Sequence, residues 1–393
     1  MMGSVSAGRC RLLAWILGWA VASPAAVTLS PWQENPDTGA NAPGPLHRQR
    51  YATFALGLVT YEIHYNAWRK ADDPSFCKVG EGPVGMPRPT SEGWYHGGFI
   101  NVSLDGRRLD TGPLSSFELV EHGARSMVDL VWHDPRADLR YRIAGQDGDD
   151  HLTMEVTLEP HAAVTSWQVE LVAYPSYFTS WNHRVGARRI WTPGGTILEG
   201  QKALRTPGDG RAALLYDEVF DPAKGEGHGP CAVAFGEPAF GEPAVDAAGV
   251  EQIEYQATNY PCYARVRLKP DSRTLRLALW KFPDQANGPV LAAFPARAEA
   301  VLAQLRAADF TPAALRSFDS AEMQHVLDEA RRRPAIVQKL GPRLDRLAAW
   351  LAACGEPKAG GARDIRATET FLAGLAEEED LLWDIRLAEL LDF

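Results

Sequence analysis

The stretch from Trp94 to Pro175 admits few folds. It reads as successive short apolar–polar alternations, each closed by turn residues: WYHGGFINVSL, RRLD, SFELVEHG, SMVDLVWHD, LRYRIAGQ, HLTMEVTLEP and TSWQVELVAYP. A period of two puts every second side chain on one face, so each segment is a strand with a core face. Asp105-Gly106 is a two-residue hairpin signal, because both residue types tolerate the left-handed backbone. No helical pattern long enough for a crossover interrupts the run, so a parallel sheet is excluded. ALLYDEVF, PCAVAFGE, GVEQIEYQA, CYARVRL and TLRLALWKF continue the rhythm. The expected fold is mainly β, a large antiparallel β-sandwich over 47–294.

The composition changes near Pro295, where Ala, Leu, Glu and Arg take over and helical spacing appears. Ala298, Val301, Leu302 and Leu305 share one helical face. Met323, Val326, Leu327 and Ala330 form a second stripe, and Leu344, Leu347 and Leu351 a third. A C-terminal α-helical bundle over 295–393 is expected to dock, because such stripes need burial.

The first 26 residues read as a signal peptide: Arg9 and Arg11, then the apolar run Leu12 to Ala22 with Ala20-Val21-Ala22 as a cleavage pattern. The expectation is a secreted or periplasmic protein with no membrane span after cleavage. Residues 27–46 are rich in Pro, Gly, Asn and Asp and read as an extended leader. An oxidising compartment permits disulfides, and Cys231 and Cys262, each after a proline in a strand-rich region, are the expected pair. The net charge of -10 argues against a nucleic-acid partner.

The sites that could carry chemistry lie beside strand ends. Trp167 to Trp191 starts as a strand with Trp167, Val169, Leu171 and Ala173 on one face, and Pro175 stops it. Tyr177, Trp181, Asn182, His183 and Arg184 follow, rings that can stack on a sugar beside groups that can hydrogen-bond one. His183 is a candidate acid or base, against a polar corner in which it caps backbone carbonyls. In Leu215 to Pro230, Asp217, Glu218, Asp221, Glu226 and His228 crowd a strand end and a Gly-rich loop. Asp217 or Glu218 could serve as general base. No cofactor is called for, although Ca²⁺ at Asp217, Glu218 and Asp221 suits such oxygen ligands. The competing reading is a solvated loop in which Asp221 starts a turn before Pro222. Trp94 and His96 in GWYHGGF could line a cleft, and a bulged strand entry explains the same residues. The Pro-rich segment Ala71 to Gly93 is a long loop of the kind that often carries function. His122 and His133 are strand-end residues without an evident partner.

The run FINVSLDGRRL…LVWHD…LRYRI…LTMEVTLEP…SWQVELVAYP resembles, in strand rhythm, the large β-sandwiches of the galactose-mutarotase-like superfamily. That resemblance implies a sugar ligand and, by analogy with a His acid and a Glu base, roles for His183 and Glu218. Two functions are expected: carbohydrate binding or processing at a cleft on the sandwich, or a non-catalytic secreted or surface protein that meets a protein partner through its helical tail. The export reading is checked directly by mass spectrometry of the mature N-terminus. Cleavage between Ala22 and Ala26 is expected, and a retained Met1 or Met2 would refute it.

Overall fold

The structure is a computed structural model that describes residues 27–37, 44–73, 75–175, 187–224, 228–236, 249–354 and 364–390. The expectations for the export signal and for Tyr177, Trp181, Asn182, His183, Arg184 and Glu226 lie outside these residues.

The strands in chain order are β1 (Val27–Leu29), β2 (Gln33–Pro36), β3 (Leu46–Ala55), β4 (Thr60–Arg69), β5 (Val84–Arg88), β6 (Ile100–Leu104), β7 (Arg107–Arg108), β8 (Ser116–Glu121), β9 (Arg125–Asp134) and β10 (Ala137–Gln146). Then come β11 (Leu152–Pro160), β12 (Trp167–Ala173), β13 (Arg188–Trp191), β14 (Ile197–Leu198), β15 (Lys202–Arg205), β16 (Ala212–Asp217), β17 (Cys231–Gly236), β18 (Val250–Ala257), β19 (Cys262–Leu268) and β20 (Thr274–Lys281). They form two antiparallel sheets. One runs β1-β3-β4-β5-β6-β12-β19-β18-β15, with β2 on β3 and β7 on β6; the other runs β14-β13-β16-β17-β20-β11-β10-β9-β8. The first is called sheet A and the second sheet B below. Short helix α1 (Pro207–Gly210) precedes β16, and α2 (Asn287–Ala307), α3 (Ala313–Arg316), α4 (Ser320–Arg331), α5 (Pro334–Cys354) and α6 (Ile365–Leu390) follow the strands. The expected order of sandwich and then helices holds.

Alternation builds the core. Trp167, Val169, Leu171 and Ala173 of β12 all face inward and are buried. Asp105 (φ 48°) and Gly106 (φ 76°) make the tight β6–β7 hairpin. Tyr51 to Tyr65 resolves into two strands, paired from Leu46↔Arg69 to Ala55↔Thr60, with Gly57 (φ 86°) in the turn.

Three expectations are corrected. The leader is partly sheet: Val27 pairs with Phe54 and is buried, and Gln33 to Pro36 pair with β3. Its Pro and Gly content masked a short Val-Thr-Leu alternation. Helix begins at Asn287 rather than near Pro295. Pro289 lies in the first turn, where its missing N–H would be unpartnered anyway, and Pro295 sits on the exposed side of α2. Cys231 and Cys262 are separate thiols, both fully buried, on strands of opposite sheets. Burial pushes both thiols up, Cys262 to about 12.

The helices after the strands cover sheet B, α2 on β16, β17 and β20 and α6 on β10, while the short α1 lies against β15 and β18 of sheet A. Ala212, Leu214, Ala232, Ala234, Ala278 and Trp280 point outward from β16, β17 and β20, onto Val290, Phe294, Ala298, Val301 and Leu305 of α2. The small residues let the helix lie close: a Cβ on Gly236 would stand 2.7 Å from the Cβ of Leu305. Farther along the sheet the covered face is ionic. Arg142 grips Asp129 (Nε–Oδ1 2.7 Å) and donates to the Phe310 carbonyl (2.8 Å). Arg276 pairs with Glu155 (3.0 Å) and reaches the Leu305 carbonyl in the last turn of α2. Arg125 pairs with Glu121 and donates to the Asp309 carbonyl (2.7 Å). A second small core joins α4, α5 and α6 through Leu327, Ile336, Leu344, Leu347, Leu381 and Ile385.

Phe294 is the test of this docking, because it is buried and meets Trp191, Trp280 and Phe282 edge to face. Phe294→Ala is expected to lower stability by about 3–5 kcal/mol, read as a shift of the urea midpoint. A change under about 1 kcal/mol would mean that α2 contributes little to the fold.

Candidate functional site

One end of the sandwich gathers chemistry from both sheets. There β12 ends at Ala173 opposite Cys262, β20 ends at Lys281 opposite Cys231, and Trp94 bridges to Ala173. The β5–β6 connection folds over this end. It carries Glu92, whose side chain is 6% exposed, between two imidazoles that reach solvent. His228 Nε2 stands 3.1 Å from Glu92 Oε2. His96 Nδ1 stands 3.9 Å from Glu92 Oε1 and 3.2 Å from the Ser91 carbonyl. The Ser91 hydroxyl also donates to Glu92.

These contacts dictate roles for the ring nitrogens. A carbonyl oxygen only accepts, so His96 Nδ1 carries the proton toward Ser91. In the neutral ring Nε2 then holds the lone pair, on a side chain 42% exposed. His228 Nε2 is the donor to the Glu92 carboxylate. A buried carboxylate that orients an imidazole is the arrangement general acid–base chemistry needs.

The loop is held in place from below. Lys281, 3% exposed at the end of β20, donates from Nζ to the carbonyls of Met86 and Thr90. Burial pulls its ammonium down to about 7, with the Glu92 carboxylate opposing. The Tyr174 amide donates to the carbonyls of Glu92 (3.0 Å) and Gly93 (3.1 Å). Gly85 is obligatory, because a Cβ there would collide with the His96 carbonyl and with His64. His64 contacts that same carbonyl through Nε2, and burial lowers it to about 4.

Beside the imidazoles stands a wall of phenols. Tyr95 and Tyr174 meet at 4.7 Å and 61°, and Tyr174 and Tyr260 at 5.2 Å and 80°. Tyr174 donates to both oxygens of Glu81 (3.2 and 3.1 Å), whose carboxyl is raised by burial.

Of the residues singled out in the sequence, His96 and His228 meet here, joined by Glu92. Trp94 does not line a cleft: it is fully buried, and its indole donates to the Trp280 carbonyl (3.0 Å), so it pins the loop to sheet B. Asp217 is fully buried as well. It accepts from the amides of Ala187 (2.9 Å) and Val219 (3.1 Å) and faces Arg188, so it ties strand ends together and cannot exchange protons with a ligand. Glu218 forms a two-pronged pair with Arg189 (3.0 and 2.9 Å). Asp221 Oδ1 accepts from the Ala223 amide (3.0 Å), the turn geometry expected before Pro222. The three carboxylates thus serve three different partners. Among the described residues no group of three His, Cys, Asp or Glu side chains is arranged to hold a metal ion. Glu92, Glu81 and Lys281 were not singled out in the sequence. The one signal available was position: Glu92 closes the long Pro-rich segment.

No protein-family model matches the chain, and no curated protein matches it. Solved structures give distant likenesses. A Klebsiella pneumoniae protein provisionally assigned as an aldose 1-epimerase is 9% identical, with a TM-score of 0.33 over 72% of this chain and 97% of its own. A provisionally assigned aldose 1-epimerase from Escherichia coli is 8% identical, with a TM-score of 0.30 over 60% and 99%. The GH36 alpha-galactosidase AgaB of Geobacillus stearothermophilus is 9% identical, with a TM-score of 0.29 over 65% and 41%. The match thus spans about two-fifths of the galactosidase. Mutarotase-like sandwiches are among the neighbours, as the strand rhythm led one to expect, and at these scores they carry nothing about function.

Lys281 gives this site a pH signature. Its native value near 7 lies below the 10.5 of a free lysine, so between these values the unfolded chain binds the extra proton and stability rises with pH. Lys281→Met is expected to flatten that rise between pH 7 and 9 in urea titrations, whatever its effect on absolute stability. An unchanged slope would mean that Lys281 is not buried as described.

Proposed function

We propose that the protein is exported and binds a carbohydrate at the Glu92, His96 and His228 end of the sandwich, with His96 as the proton-transferring group. The observation that carries this reading is the buried Glu92 carboxylate shared by two solvent-reaching imidazoles. The half-buried Tyr95 and Tyr260 support it, since Tyr rings offer an apolar face and a polar tip to a sugar, with the buried Tyr174 packed between them. The Ser91 carbonyl orients His96, the Glu92 carboxylate stands 3.9 Å from the same nitrogen, the imidazole gives or takes a hydroxyl proton, and Lys281 keeps the loop in register.

A second reading keeps the protein non-catalytic and puts a partner on the tail. Its support is Trp383 and Leu387, one helical turn apart on α6 and each 53% exposed.

The two are separated by incubating the purified protein with a glycan panel and following binding, reducing ends and anomer ratios. His96→Ala is expected to lower turnover about 10²–10⁴-fold, the share of general acid–base catalysis, with binding less affected. Glu92→Gln should act in the same direction. Failure of every glycan on a folded protein would end the carbohydrate reading.

A further inference from the structure

The β4–β5 connection brings a further carboxylate to the same end of the sandwich. Glu81 lies exposed on that segment, and the next residue, Gly82, donates its amide to the Gly97 carbonyl (3.4 Å) beside His96. Rings complete the link. Tyr95 meets His96 at 4.8 Å and Tyr174 at 4.7 Å, and the Tyr174 hydroxyl stands 3.2 and 3.1 Å from the two Glu81 oxygens. Glu170 lies close by on the outward face of β12, since Val169 and Leu171 point into the core. Its partners in register are Asn101 on β6 and Arg265 on β19.

The cations of this region are spent on other groups. Arg265 serves Glu170 (2.5 Å), Glu254 (2.8 Å) and Gln256 (3.0 Å). Arg108 gives Nε to Asp110 (3.1 Å) and Nη1 to the backbone carbonyl of Glu81 (3.0 Å). Among the described residues no Lys or Arg side chain forms an ion pair with the Glu81 carboxylate. A phenol has one proton, so Tyr174 orients that carboxylate without neutralising it. Asn101 points the same way. It is 7% exposed, and its buried Oδ1 has no hydrogen-bond partner. That oxygen faces Gly82, where a Cβ would stand 2.8 Å from it, so it adjoins Glu81 as well as Glu170. A buried acceptor left unpaired is costly, and a donor entering here would satisfy it. The half-buried rings of Tyr95 and Tyr260 flank the group, and ring faces attract cations.

Resting on the carbohydrate reading above, we infer that the ligand is an amino sugar with its nitrogen unacylated: Glu81 receives the ammonium, with Glu170 and Asn101 as further acceptors, while the sugar hydroxyls reach His96. An N-acetyl group brings one N–H and no charge, and a uronate sets like charge against Glu81. Burial raises the Glu81 carboxyl, with Glu170 adding to the effect and Tyr174 and His96 opposing it. The empty site therefore holds its negative charge at a cost that a bound ammonium removes.

The test is calorimetric titration of the purified protein at about pH 6, where a sugar ammonium is charged. The ligands are tetrasaccharides of glucosamine and N-acetylglucosamine, of galactosamine and N-acetylgalactosamine, and of galacturonic acid. In at least one pair the free amine should bind about tenfold more tightly than its acetylated partner, and the preference should shrink as salt rises. Glu81→Gln should bring the ratio to about one. Equal binding within both pairs, preference for the uronate, or a preference that survives Glu81→Gln overturns the inference and leaves the carbohydrate reading standing. If Glu81→Gln does not fold, the salt series on the native protein decides, and a preference indifferent to salt overturns it. Butylamine competing as well as the amino sugar would mean that an amine alone is read, and also overturns it. Binding of no glycan by the folded protein ends both readings.

Discussion

The structure depends on an asymmetry of burial. Sheet A hides one face, while the β16, β17 and β20 part of sheet B hides two. Strands covered on both sides cannot alternate apolar with polar, and here they read as near-continuous apolar runs: Ala212 to Tyr216, Cys231 to Phe235 and Leu275 to Trp280, broken only by Arg276. Alanine on the outward side is the feature that matters, because it brings α2 close enough for Phe294 to enter an aromatic cluster. With one broad face of sheet B given to helices, the sandwich end keeps loops free to carry polar groups. Glu92, His96 and His228 lie there.

Charge takes over where apolar pairing stops. Arg142 with Asp129, and Arg276 with Glu155, are ion pairs withdrawn from water, which repay desolvation only when their remaining hydrogen bonds are made. Both guanidiniums spend a further N–H on a carbonyl of the covering segment, Phe310 or Leu305. The pairs therefore act less as sources of stability than as fixed points of register. A slide of α2 along the sheet would strand those donors, and an unsatisfied buried charge costs several kcal/mol. An apolar interface alone would tolerate such a slide more readily.

How much was legible follows from the range of each interaction. Alternation, the Asp105-Gly106 turn and the stripe Ala298, Val301, Leu305 are local and were read from the chain. The sheet role of Val27 was hidden because three residues are too short a pattern beside Pro and Gly. The helix start was set near Pro295 because the composition changes there, whereas the helix already runs from Asn287 and presents Pro295 to solvent. His96 and His228 were each noticed. What joins them is Glu92, and that juxtaposition requires the β5–β6 connection to meet the loop before β17, a fact of topology rather than of either segment. Trp94 and Asp217 failed as site residues for a complementary reason. Polar or aromatic identity suggests a ligand, but burial decides, and burial belongs to the whole fold.

Two clusters rest on one principle, that a buried acceptor dictates where protons sit. At Glu92 the carboxylate lies beneath two partly exposed rings, and the backbone carbonyl of Ser91 leaves His96 with its lone pair outward. Around Asp138 three nitrogen-bearing side chains converge from β9, from the turn after β11 and from α6, so the same residue types yield a locked ring instead of a reactive one. The difference is the number of acceptors per imidazole. His96 meets Glu92 only at 3.9 Å, through the nitrogen that serves Ser91, while His133 is held at both nitrogens within 2.9 Å. A ring with one nitrogen committed can pass a proton on, and a ring with both committed can only keep it or release its partner. The first suits chemistry at the sandwich end, and the second suits an anchor for the tail.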